Sequence, residues 1–144
     1  MSTANLYGSV LTQIVTGAID METDTLKISL HASGYTPNQD AHDFYNDVTN
    51  EVSGAGYTAG GETLTGVSLA YDGPTNTLTI DCDDPSWTGA TLSGIRYAVV
   101  YKDTGTSSTS PLICWMDFIT DQSVAGSTFT IVLPGTGLIQ ATVA

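Results

Sequence analysis

Only two histidines, His31 and His42, and two cysteines, Cys82 and Cys114, stand among the 144 residues, so the chemistry open to this chain is quickly bounded. His42-Asp43, with Asp40 and Asp47 nearby, has the residue types of a metal-dependent hydrolase pair. Such a centre takes several more His or Asp ligands, and a solvated acidic turn is the favoured reading. A serine nucleophile lacks its GxSxG elbow, and a triad would have to recruit one of the two histidines. The glycine-rich run from Gly54 to Gly61 lacks the Lys-Ser/Thr ending of a phosphate loop and leads into no helical pattern. Glycine there is expected to supply bends or close backbone approach, as an arm or a bend. Neither a catalytic residue nor a cofactor is expected.

Three further groups carry two readings each. Asp81, Asp83 and Asp84 are the densest carboxylates and could hold calcium with backbone carbonyls, yet their spacing matches no EF-hand, and an acidic strand end is favoured over a metal site. Cys82 and Cys114 fall on apolar faces of predicted strands, as buried free thiols or, less favoured, as a disulfide formed late. Trp87, Trp115, Tyr57, Tyr97 and Tyr101 could build a sugar-stacking platform, but in a small β domain most aromatics serve the core.

Charge narrows the partners. Lys27, Arg96 and Lys102 are the only basic side chains against 15 acidic ones, a formal net charge of −12. Phosphate binding needs clustered Lys and Arg, so no nucleic acid and no anionic membrane is expected as partner. With 41% apolar and only 12% charged residues the composition is that of a folded acidic domain. The N-terminus shows no basic segment followed by an apolar core, and no apolar run reaches membrane-spanning length, so a soluble chain made in a reducing cytoplasm is expected.

The elements that would position these residues are mostly strands, since Thr, Gly, Ser and Asp abound while Glu and Lys are scarce. A helix over about 5–16 is predicted from Leu6, Val10, Leu11, Ile14 and Val15, capped by Asn5 and stopped at Gly17. Leu26, Ile28, Leu30 and Ala32 alternate with Lys27, Ser29 and His31, which predicts a strand with the two sets on opposite faces. Val67, Leu69 and Tyr71, the turn Asp72-Gly73-Pro74, and then Leu78, Ile80 and Cys82 inward with Thr77, Thr79, Asp81 and Asp83 outward predict a hairpin with one wet face. Ile95–Tyr101 and Leu112–Ile119 are apolar on both faces, as central strands are. Strands are also expected over Thr128–Leu133 and Leu138–Val143, the latter following the turn Pro134 to Gly137. Between Ser33 and Gly61 only a short helical turn at Asp40–Tyr45 and an edge strand at Val48–Val52 are expected, so this excursion reads as functional or contact-making. The sum is a single domain spanning 1–144, mainly β: an antiparallel β-sandwich or jelly roll with one N-terminal α-helix.

Several stretches together resemble one family. They are Ile19-Asp20, Asp24 to Ile28, Ser33-Gly34-Tyr35-Thr36-Pro37 running on to Tyr45, Asp47 to Gly61, Arg96 to Gly105, and Ser110-Pro111-Leu112-Ile113. Over nearly its whole length the chain is similar to small virion structural proteins of tailed bacteriophages. The resemblance implies a non-enzymatic head decoration or cement protein on the capsid surface, or alternatively a tail or fibre component that binds host carbohydrate. It implies as partners the major capsid protein and the chain's own copies, as a homotrimer. Under it, Ser2, Thr3, Ala4, Asn5, Leu6 and Tyr7, with Tyr35, Pro37, Phe44, Tyr45 and Tyr57 of the extended loop over about 33–61, are expected to contact the capsid or a neighbour. His31 replaces an aliphatic residue of the family pattern, and the two cysteines have no counterpart in it.

Overall fold

In the computed structural model, which describes residues 4–143, two antiparallel sheets face each other as a β-sandwich. Its strands are β1 (Ala4–Leu6), β2 (Leu26–Ala32), β3 (Glu62–Thr63), β4 (Ser68–Asp72), β5 (Thr77–Asp81), β6 (Ser86–Lys102), β7 (Leu112–Thr130) and β8 (Ile139–Thr142). The larger sheet runs β1-β7-β6-β2-β3 and the smaller β4-β5-β8. Among the described residues no helix is long and apolar enough to cross a membrane.

Helix α1 is shorter than the spacing predicts, Val10–Val15. Ala4–Leu6 instead pairs with Met116–Cys114 of β7, so Asn5 is a strand residue and not a cap. An edge of β7 offers those three residues ladder hydrogen bonds that an isolated helical turn would not. Gly17 does close the helix, at φ +75°. Val10 is buried and Ile14 half-buried, while Leu11 and Val15 face outward.

The alternating residues Leu26, Ile28 and Leu30 enter the main core between the sheets, as their spacing predicts. The other face of β2 is covered too: Ser29 and His31 are fully buried beneath the excursion. The two central segments are apolar on both faces because both faces are covered. From β6, Ala98 and Val100 point into the main core, while Val99 and Tyr101 join Tyr7, Tyr35 and Leu112 in a second core on the far side of the sheet.

β6 and β7 extend well beyond their predicted apolar segments. Ser86–Gly94 and Thr120–Thr130 conceal their strand character because bulges interrupt the two-residue period. Gly89, Gly94 and Gly126 have positive φ within these strands. Between the pairs Ile95–Gln122 and Tyr97–Asp117, two steps along β6 face five along β7. At that bulge Ile119 adopts φ +68°, and Asp117 Oδ1 holds it by accepting from Ile119 N–H at 2.7 Å and from Arg96 Nε at 2.6 Å.

The predicted hairpin is present as β4 and β5, turning through Gly73 to Asn76. The strand expected over Thr128–Leu133 is the end of β7, after which Ile131 N–H bonds Pro85 O. The excursion contains no strand at Val48–Val52. It is tied to β2 by single bonds instead, Ala32 N–H to Asn50 O and Val52 N–H to Leu30 O, each 2.9 Å. Asn50, at φ +56°, breaks any longer ladder. The helical turn falls at Asn38–His42, followed by a 3₁₀ turn at Tyr45–Asp47.

Glycine allows the excursion to lie this close. A Cβ on Gly61, which has φ +77°, would collide with the carbonyl of Ile28, and one on Gly54 with the carbonyl of Thr91. The backbone must approach β2 and β6 at van der Waals limits, which only glycine permits. Gly61→Ala is therefore expected to lower unfolding free energy by at least about 2 kcal/mol, combining overpacking with strain at positive φ. Urea denaturation of the two proteins measures it.

Candidate functional site

The densest collection of polar side chains lies where the excursion covers the outer face of β2, β6 and β7. Tyr7 and Tyr35, each 1% exposed, join hydroxyls at 2.7 Å. Tyr35 also reaches His42 Nδ1 at 3.1 Å, and the two rings stack. Asn38 N–H points at the same Nδ1 from 3.3 Å, so that nitrogen is an acceptor. The relay thus has one direction: the Tyr7 hydroxyl donates to Tyr35, and Tyr35 donates to His42.

A second chain begins at His31. Its Nδ1 sits 2.9 Å from Thr49 O and so carries the proton, which leaves Nε2 to accept from Ser29 Oγ at 2.8 Å. Burial lowers the pKa of His31 below its ordinary 6.5, outweighing the bond to Thr49 and the charge of Glu51.

Glu51 fastens the far end. Its Oε1 accepts from Tyr57 O–H at 2.7 Å and from Gly60 N–H at 2.6 Å. The Tyr57 oxygen in turn accepts from Leu30 N–H at 3.0 Å, so a side-chain hydroxyl occupies the place of a neighbouring strand along the edge of β2. Tyr101 O–H donates to Gly60 O at 2.7 Å, and the Tyr45 ring stacks on Tyr101 at 3.9 Å. Burial pushes the phenol of Tyr45 up to about 12 and raises those of Tyr7, Tyr35, Tyr57 and Tyr101 as well. These hydroxyls stay protonated at neutral pH; those of Tyr7, Tyr35, Tyr57 and Tyr101 act as hydrogen-bonding clips, while that of Tyr45 is buried without a partner.

The contact residues suggested by the sequence are distributed otherwise than expected. Tyr7 and Tyr35 are interior and cannot touch a capsid. Tyr45 and Tyr57 are half-buried with their rings turned into the fold, while Pro37 and Phe44 are half-buried at its margin. Ala4 and Leu6 pack on the main core from β1, and Asn5 between them is exposed. Ser2 and Thr3 lie outside the described residues. The reason is the second core: a sheet apolar on both faces recruits the nearest large side chains to cover it. Aromatic spacing in the excursion gave no periodic signal, so sequence reasoning missed the relay through Tyr7, Tyr35 and His42.

Asp81, Asp83 and Asp84 are not brought together as a calcium site. Asp81 accepts from the next residue's N–H, Cys82, while Asp83 accepts from the Thr65 hydroxyl and Asp84 from Leu133 N–H, so the three carboxylates are engaged at different places. Among the described residues no three His, Cys, Asp or Glu side chains converge as a metal site. Cys82 and Cys114 are both free thiols, and burial raises Cys114 and pushes Cys82 up to about 11, so neither is a nucleophile at neutral pH. Trp87 is buried and Tyr101 nearly so, which removes the centre of the imagined sugar platform.

The basic side chains are all paired within the chain. Lys27 meets Asp103 at 3.3 Å, Lys102 meets Asp24 at 2.8 Å, and Arg96 meets Asp117, whose carboxyl it holds below the usual carboxylate range. The chain matches no protein-family model, and no curated protein or solved structure is significantly similar to it.

Two consequences are measurable. Tyr57→Phe leaves Leu30 N–H without its acceptor and removes one of the two donors to Glu51, and is expected to cost about 1–3 kcal/mol in urea unfolding. His31 is held neutral in the fold, so as pH falls through 6.5 the unfolded chain takes up the proton first and stability declines. His31→Gln should flatten that part of the profile, read as the difference between the two proteins' thermal midpoints from about pH 7 to 5.

Proposed function

We propose that this chain is a structural component of a tailed-bacteriophage virion, a decoration or cement protein that binds the outside of the head as an oligomer of its own copies. The sequence resemblance motivates the reading, and one structural observation carries it: the reactive side chains are turned inward and spent on holding the fold. Tyr7, Tyr35, His31, Glu51 and Tyr57 clip the excursion to the sheet, and the three cations are consumed in ion pairs. What faces outward is an acidic surface on a doubly covered sheet, suited to standing on a lattice. Uncompensated carboxylates keep free copies apart and draw the chain to basic patches on a shell.

The excursion serves this role as a cover that stiffens the domain, and the N-terminal segment as a strand of the sheet. Loss of residues 2–7 would therefore damage the fold itself, since it removes β1 and the Tyr7 hydroxyl.

Copy number tests the reading. Quantitative mass spectrometry of purified virions is expected to find on the order of hundreds of copies per particle, in step with the repeating positions of a closed shell. A handful per particle would overturn the head assignment and favour the tail or fibre role.

A further inference from the structure

Every charged side chain, 15 acidic and 3 basic, lies between Asp20 and Asp121, and residues 4–19 and 122–143 carry none. The fold brings these two uncharged stretches together. β1 is the outermost strand of the larger sheet, and the segment leading into β8 belongs to the outermost strand of the smaller one. They border a groove of about 280 Å³, lined by Ala4, Leu6, Pro134, Leu138 and Ile139. Leu138 is part of the main core, and Ala4, Leu6 and Ile139 pack against it, so the groove is a mouth of the sandwich.

The four outermost strands differ in how their edges are guarded. β3 carries Glu62 and β4 carries Asp72, and charge on an edge strand discourages another chain from pairing with it. β1 and β8 carry neither charge nor proline. On β1 the Leu6 carbonyl is met by Gln39 Nε2 at 2.9 Å, which leaves β8 as the open edge. Val143 N–H bonds Asn76 O at 2.8 Å, and the pairing continues without a break through Thr142–Thr77 to Ile139–Ile80. The alternation of an antiparallel ladder then turns the N–H and C=O of Gln140 and Thr142 away from β5. Both residues are exposed.

The distribution of charge selects the occupant. Over most of a chain of net charge −12 a second copy meets carboxylates, whereas in this groove and along β8 it meets none. Asp81 and Asp84 stand at the margin, beside Gly137 and Leu133, as a rim whose repulsion salt screens. A partner attracted by charge is drawn instead to the acid-bearing remainder of the surface. The centre of an interface is poor in charged residues, as this flank is. A second copy also brings the same open edge: about a two-fold axis β8 meets β8 antiparallel, and the outward groups of Gln140 and Thr142 on each copy gain partners.

We infer that the uncharged flank formed by β8 and the groove beside β1 is the surface at which a second copy of this chain binds, β8 adding to β8 so that two small sheets become one. The inference rests on the oligomer of the proposed function and names its surface; attachment to a head does not enter it. It moves the contact between copies from the excursion, where the sequence suggested it, to the mouth of the sandwich.

The test is sedimentation velocity of the full chain over a series of protein concentrations, at low and high salt. Wild type is compared with Gln140→Glu/Thr142→Glu and with Thr58→Glu/Ser107→Glu, a remote control that adds the same charge at exposed positions. Circular dichroism establishes that each variant is folded, and hydrogen exchange of wild type follows the amides of Gln140 and Thr142. The expected result is self-association that strengthens with salt, and exchange of the two amides that slows as wild type is concentrated. At high salt the β8 variant needs about tenfold or more concentration to associate, and the control changes by less than about twofold. A folded β8 variant that associates like wild type, or amides that exchange equally while the chain associates, overturns the surface and leaves the oligomer standing. Association that weakens with salt overturns the argument that an uncharged flank joins the copies. If the β8 substitutions prevent folding, exchange of wild type decides alone. Wild type that stays monomeric at every concentration and salt overturns the surface and the oligomer together, while copy number on the virion still decides the head assignment.

Discussion

A sheet that is apolar on both faces must be covered twice, and the rest of the structure follows from that constraint. β2, β6 and β7 send Leu30, Val100 and Met116 to one side and His31, Val99 and Leu112 to the other. The smaller sheet and α1 cover the first side. Only the excursion between β2 and β3 is available for the second, and it has almost no ladder of its own to satisfy its backbone. Side chains supply the missing partners: the Tyr57 hydroxyl accepts Leu30 N–H, the Glu51 carboxylate accepts Gly60 N–H, and the His31 ring donates to Thr49 O. Left unpaired, a buried group such as Leu30 N–H or the His31 ring would cost on the order of 1–3 kcal/mol. The polar cluster that resembles a reactive site is thus the means by which an irregular segment is made into a layer.

The same economy governs charge. Three bases among 15 acids would ordinarily be scattered over a surface, but here each base fastens two parts of the chain. Lys102 ties β6 to the loop after α1, bonding both Asp24 and the carbonyl of Ala18. Arg96 supports the bulge that carries Ile119. The outside is left with uncompensated negative charge, which opposes self-contact and favours basic partners at distances of roughly a Debye length, about 8 Å at physiological salt.

Much of the fold was legible in the sequence, because the two-residue period is explicit in Leu26–Ala32, in Leu69 to Ile80 and in the apolar cores of β6 and β7. Those patterns are set by side-chain burial, which a single sequence displays directly. The extensions of β6 and β7 were hidden, since bulges at Gly89, Gly94, Ile119 and Gly126 shift the period where it would be read. The N-terminal strand was mistaken for helix because Leu6 falls in register with Val10 and Ile14, and pairing with β7 is a long-range choice that local spacing does not encode. The candidate site was the least legible part. His31 and the tyrosines could be seen as unusual, but whether Tyr35 reaches a solvent-facing partner or Tyr7, 28 positions away in the sequence, depends on how the intervening chain folds back.

The central claim is that the excursion is a locked layer of the fold and not a free contact arm. Native-state hydrogen exchange of the amides of Leu30, Val52, Gly60 and Gly61 tests it most directly, since each donates into the seam between excursion and sheet or to the turn that closes it. The account predicts protection of these four amides comparable to that of Val99 and Val100 in β6, lost in the same cooperative opening. Exchange at the rate of an exposed loop, with β6 still protected, would contradict it.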